Sequence, residues 1–139
     1  MTLYHKIITV PKNTPKDIPI KEEITVDEYG YIVFTEIRFP PGPQGLLKVS
    51  VWYGETQLIP QKESDWIAGD DERIWDIPLF YITKGEKILV KAYNEDDTYD
   101  HSFFFRMVVL PSDIVRPLFE LGDSIRSIKY LSSVLRMIA

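Results

Sequence analysis

The sequence predicts a mainly β protein: an antiparallel β-sandwich of about eight short strands, jelly-roll-like, with a C-terminal amphipathic helical segment. Short runs of β-branched and aromatic residues alternate apolar with polar, the period of a half-buried strand. Pro, Gly and acidic turn clusters separate those runs at close, fairly even spacing, which suits antiparallel strands better than βαβ units. After Pro111 the period changes, and Ile125, Ile128, Leu131, Val134, Leu135 and Ile138 recur at helical intervals.

The elements follow in order. Residues 2–10 (TLYHKIITV) read as a strand stopped by Pro11, and Pro11, Pro15 and Pro19 hold the loop behind it, since proline cannot donate to a ladder. Residues 20–28 alternate around Ile20, Ile24 and Val26, and Tyr29-Gly30 turns the chain into 31–39. There Tyr31, Val33, Thr35, Ile37 and Phe39 are expected on one face, and Ile32, Phe34, Glu36 and Arg38 on the other. The run Pro40-Pro41-Gly42-Pro43-Gln44-Gly45 is a rigid loop. Residues 46–53 place Leu47, Val49, Val51 and Tyr53 inward, and Gly54-Glu55 turns into a short strand at 56–60. A polar loop with Trp66 at its centre leads to strands at 73–80, 86–93 and 102–110. Pro78 makes 73–80 an edge strand or a bulged one, and Trp75, Ile77 and Leu79 are expected to pack together.

Residues 1–111 are therefore read as the β-sandwich domain and residues 112–139 as a helical docking or oligomerisation segment. Pro117 and Gly122 divide that segment into two helices, with Asp123 as a cap for the second. Four destinations are open to it: its own sandwich, a second copy, a groove on a larger assembly, or a membrane surface, for which its charge is small. As a docking stripe it would use Ile125, Ile128, Leu131, Leu135 and Ile138.

Composition narrows the function. The chain has 139 residues and a net charge of −5. Residues 1–111 carry 12 basic against 18 acidic side chains and residues 112–139 carry 4 against 3, so the body is acidic and the tail slightly basic. That balance argues against nucleic acid as a partner. With no cysteine, thiolate chemistry and Cys-type zinc sites are excluded. No apolar run approaches the roughly 18–20 residues of a membrane span, and no signal peptide is read at the start, so synthesis in the cytoplasm is expected. Few amides and plentiful Lys, Glu and Ile suggest a thermophilic source.

Two acidic loops stand out: 69–72 (GDDE) and 94–101 (NEDDTYDH). Pooled oxygens from Asp70, Asp71, Asp96 and Asp97 would suit Ca²⁺, which takes several flexible oxygen ligands, but the EF-hand spacing is absent and Asx-turns explain such loops as well. No cofactor is expected beyond that calcium option. Trp66 and Tyr99, each inside a polar loop, are candidates for stacking a sugar ring; loop anchoring is the competing role. His5 and His101 are the only histidines, and Ser64, Ser102 or Ser112 would have to lie beside one of them to form a triad. No G-x-S-x-G elbow occurs, and the chain is read as non-catalytic.

The stretches 38–60 (RFPPGPQGLLKVSVWYGETQLIP), 68–80 (AGDDERIWDIPLF) and 90–111 (VKAYNEDDTYDHSFFFRMVVLP) resemble small β-sandwich structural proteins of tailed phages, prophages and archaeal viruses. The matching positions are Pro40-Pro41-Gly42, Gly69 to Glu72 and Asn94 to His101, within residues 31–111. The resemblance implies a virion or virus-like-particle component, such as a capsid decoration, spike, fibre or baseplate part. Its expected partners are itself as a homo-oligomer or a capsid or tail. A carbohydrate-binding module with calcium-holding loops, taking a glycan, is the alternative.

Overall fold

The computed structural model describes residues 1–62, 64–120 and 124–138, with side chains for 1–62, 64–117 and 131–138. Within these residues the chain forms two five-stranded antiparallel sheets, the expected sandwich. The first sheet holds β1 (Thr2–Val10), β3 (Gly30–Phe39), β7 (Glu72–Asp76), β8 (Phe80–Ile82) and β10 (His101–Pro111) in the order β1-β10-β3-β7, with β8 also on β3. The second holds β2 (Ile20–Thr25), β4 (Leu47–Tyr53), β5 (Thr56–Ile59), β6 (Ile67–Ala68) and β9 (Lys87–Asn94) in the order β2-β9-β4-β5, with β6 also on β4.

The strand number exceeds the expected eight because each sheet has one broken edge. Strands β7 and β8 pair with successive stretches of β3, split at Ile77-Pro78-Leu79, where Leu79 takes a positive φ of 49°. Proline removes a ladder donor there, so the pairing stops and restarts. Strands β5 and β6 pair with β4 in the same interrupted way.

Alternation fills the space between the sheets. Leu47, Val49 and Val51 of β4, Ile88, Val90 and Ala92 of β9, and Phe103, Phe105, Met107 and Val109 of β10 meet in one cluster at about zero exposure. Strand β3 departs from its expected faces. Its register with β10 jumps from Phe34↔Val108 to Ile32↔Val109, so Val33 is a bulged extra residue. The bulge puts Ile32 in the inter-sheet core beside Ile37 and Phe39, and Val33 with Phe34 on the outside. Tyr31 also packs on the outer side, contrary to strict period-two reading.

Those outward residues found a second core. Helices α1 (Ser112–Glu120) and α2 (Ser124–Ile138) follow β10 directly, and Val115, Leu131 and Leu135 cover Val33, Phe34, Val108 and Leu110. Ile77, Leu79, Tyr31 and Ile138 pack around it partly buried. The chain can turn into α1 here because Gly30 faces Pro111: a Cβ on Gly30 would sit 2.1 Å from the Leu110 carbonyl oxygen. The helical tail thus lies over the outer face of the first sheet, on the half nearest the β3 start.

Candidate functional site

Four loops converge at one end of the sandwich, and their acids hold them together. Asp70 accepts backbone N–H bonds from Gly42 at 2.7 Å and Gln44 at 3.2 Å, which fixes the proline-glycine loop. Gly42, at φ 127°, lies beside His101. His101 Nε2 bonds Asp96 Oδ2 at 2.8 Å, while Asp96 Oδ1 accepts the N–H groups of Thr98 at 2.8 Å and Tyr99 at 3.2 Å. The Thr98 N–H first, and then His101, hold the Asp96 carboxyl below the ordinary carboxylate range. Asp100 accepts the Lys12 N–H at 2.8 Å, and the Asp96 carbonyl takes the Asn13 N–H at 2.9 Å, so the β1–β2 loop joins the group. Asn94, fully buried, donates to the Val10 and Tyr99 carbonyls from its side chain.

The sequence-predicted residues fall into place around this end. Asp70 accepts from the neighbouring proline-glycine loop and Asp96 from its own, and Asp97 accepts the Thr98 hydroxyl at 2.9 Å. Asp71 sits in the left-handed region at φ 49°, its N–H given to the Pro40 carbonyl. Among the described residues no group of three or more His, Asp or Glu side chains comes together as a metal site. Trp66 packs edge-on against Tyr93, ring centroids 4.7 Å apart, while Tyr99 projects 66% exposed from its loop. Burial, then the Glu95 carboxylate, raises the Tyr93 hydroxyl above its ordinary value. No ring contact joins Trp66 to Tyr99 among the described residues. The hydroxyl of Ser102 bonds that of Thr9 at 2.8 Å on the outer face, away from a triad with His101.

Leu131 and Leu135 of the expected docking stripe are each 2% exposed and pack on the chain's own first sheet. Ile138 lies partly buried beside them, and the Ile125 and Ile128 side chains are outside the described residues. Amphipathic spacing alone does not distinguish packing at home from packing on a partner, which is why the tail's destination was open. No described helix is long and apolar enough to cross a membrane.

The other half of the first sheet's outer face is open, and sequence reasoning passed over it. Two cross-strand rows run over it. In one, His5 of β1 faces Arg106 of β10, which faces Glu36 of β3, which faces Trp75 of β7. In the next, Ile7 faces Phe104, Arg38 and then Arg73 in the same order of strands. Arg38, Arg73 and Arg106 are the three arginines that precede residue 116. Glu36, with its side chain 4% exposed, takes Arg73 at 2.7 Å and stands 3.9 Å from Arg106. His5 and Phe104 stack nearly parallel, 5° between planes at 6.2 Å. A depression of about 480 Å³ opens here, lined by Phe104, Arg38 and Arg106 among others. A second, of about 230 Å³, lies across Arg73 between Trp75 and Arg136 of α2. Trp75, expected in packing, is 46% exposed and leans on Phe34 with ring centroids 6.3 Å apart. The missed signal was a charged residue in mid-strand, in TEIRF, ERIW and FFRM.

No protein-family model matches the chain, and no curated protein does. Among solved structures, the serine protease of Aeromonas sobria, alone and in complex with the chaperone ORF2, aligns over 77% of this chain at 7% identity with a TM-score of 0.39. The alignment takes in 27% of the length of that protein's chain, so this chain spans about a quarter of it.

Proposed function

We propose that this chain is a non-catalytic structural or adhesion module of a virion or virus-like particle, the kind of protein its loop stretches resemble. The reading is supported by what the chemically capable side chains do at the loop end. Asp70 and Asp100 bind backbone groups of neighbouring loops, and Asp96 binds its own loop's backbone and His101, as parts of a rigid scaffold.

The observation that carries assembly is the state of the sheet edges. Strand β1 is nine residues long, has no proline and, among the described residues, pairs only with β10. Its outward Leu3 and Ile7 are 47% and 61% exposed, and its charged residue Lys6 is tied to Glu22 of the other sheet at 3.3 Å. The remaining edges are guarded: β2 carries Lys21, Glu22 and Glu23, and β5–β6 and β7–β8 are interrupted. An open, apolar edge strand is a template for pairing with another chain, and a second copy of β1 is the self-complementary occupant.

Light scattering over a concentration series tests this. The full chain is expected as a defined oligomer, and Ile7→Lys as a monomer with unchanged melting, since Ile7 contributes nothing to the core. A wild-type monomer at every concentration overturns the proposal.

A further inference from the structure

We infer that the open half of the first sheet's outer face is a binding site for a carboxylated sugar, a uronate or similar acidic residue of a glycan. The inference extends the adhesion side of the function proposed above and rests on a face distinct from the acidic loops.

Charge placement is the first ground. On a chain of net charge −5, the three arginines of the β domain share one face with one buried carboxylate, Glu36, which Arg73 and Arg106 approach and Arg38 does not, leaving a local balance of +2. The lysines act elsewhere: Lys87 pairs with Glu23 at 3.0 Å, and Lys91 sits over the Trp52 ring at 4.3 Å, both on the second sheet. Arg38 stands directly opposite Arg73 across the β3–β7 pair. Like charges in register destabilise a sheet, and Arg38 has no ion pair among the described residues to offset the repulsion. A local rule broken without structural gain marks a functional position.

Chemistry selects the ligand class. A guanidinium fork matches a carboxylate through two parallel N–H···O bonds, which lysine cannot imitate. The Phe104 ring lines the same depression as Arg38 and Arg106, a flat apolar surface of the kind that supports the C–H face of a pyranose. Glu36 in the same wall already offsets one cation and repels a densely charged anion, so a singly charged carboxylate is favoured over phosphate. The neighbouring depression repeats the pattern, with Trp75 as platform and Arg73 and Arg136 as cations. The four strands span three spacings of about 4.8 Å each, room for an oligosaccharide in place of a single ring.

Isothermal titration of the full chain tests the site, with tetragalacturonate and sialyllactose as probes, and methyl-esterified tetragalacturonate, inorganic phosphate and tetraglutamate as controls. At least one acidic sugar is expected to bind, with affinity tenfold or more above every control. Arg38→Ala should weaken it at least tenfold without lowering the melting temperature, because Arg38 is exposed and has no ion pair among the described residues; Arg106→Gln provides a second reading. Binding of neither sugar, equal binding of the ester, phosphate or tetraglutamate, or indifference to both substitutions overturns the inference. Molar mass, measured on the same samples, reports on assembly separately, so the two proposals fail independently.

Discussion

Replacing Leu131 and Leu135 with alanine separates the two destinations of the helical tail. Each side chain is 2% exposed against Val33, Phe34, Val108 and Leu110. Truncating a buried leucine costs about 2–5 kcal/mol, the transfer free energy plus the cavity left behind. The two residues are one helical turn apart over the same apolar patch, so their effects couple, and the joint loss should be roughly 4–8 kcal/mol. Domains of this size are stable by about 5–15 kcal/mol, so the double variant should be near the edge of folding. Urea unfolding followed by tryptophan fluorescence and far-ultraviolet circular dichroism measures the effect, each at several protein concentrations. With a urea slope of about 1–3 kcal/mol/M, a single Leu→Ala change should lower the midpoint by about 1 M or more. Both probes should move together, because β3 and β10 line both cores and neither core can open alone. The opposite pattern would refute the reasoning: a midpoint that stays put while molar mass falls means the two leucines work between molecules.

Two further outcomes follow from single groups. Thr35 is 1% exposed with its hydroxyl lacking a partner among the described residues, so Thr35→Val should stabilise the protein by about 1 kcal/mol in the same urea assay. A loss of stability there would show the hydroxyl to be satisfied. Asp96 has a lowered carboxyl pKa, held down first by the Thr98 N–H and then by His101. The unfolded chain therefore takes up this proton more readily, so the stabilisation is whole above about pH 4, the ordinary carboxylate value, and is lost as pH falls below it. Asp96→Asn should flatten the acid limb of the stability–pH curve; identical limbs would exclude Asp96 as its source.

The parts of the fold legible in the sequence were those with a single period. Leu47, Val49 and Val51 alternate without interruption, and the structure puts all three between the sheets. The helical spacing of Leu131 and Leu135 was equally plain, whereas the surface they would meet was not. That surface is created by the bulge at Val33, which turns Tyr31, Val33 and Phe34 to the outside together. A bulge is a two-strand property: it depends on which residues of β10 lie opposite, and β10 is some seventy positions further along the chain. The acidic loops were visible as compositional runs, but their use was hidden for the same reason. Asp70 bonds Gly42 and Asp100 bonds Lys12, contacts that exist only once four loops share one end. Glu36 and Arg38 were read correctly as facing away from Ile37 and Phe39, yet the face they form with Arg73, Phe104 and Arg106 required the strand order.

The division of labour between acids and arginines links these observations to function. At the loop end, carboxylates meet backbone N–H groups, a pairing that neutralises little net charge but fixes geometry, so Asp70, Asp96 and Asp100 serve structure there. On the outer face the arrangement is reversed: two long cations meet one acid, and the register sets a third, Arg38, opposite one of them. Solubility alone would be served by lysines on mobile stems, without rows of arginine and aromatic residues held in strands. The helical tail covers the apolar half of this same sheet face and brings Arg136 of α2 beside Trp75 and Arg73. Covering one half removes the apolar surface that would otherwise aggregate, and leaves the half whose residues repel one another until an anion lies between them. A ligand carrying a carboxylate relieves that repulsion, so its binding should stabilise the same sheet that the tail stabilises from the other side.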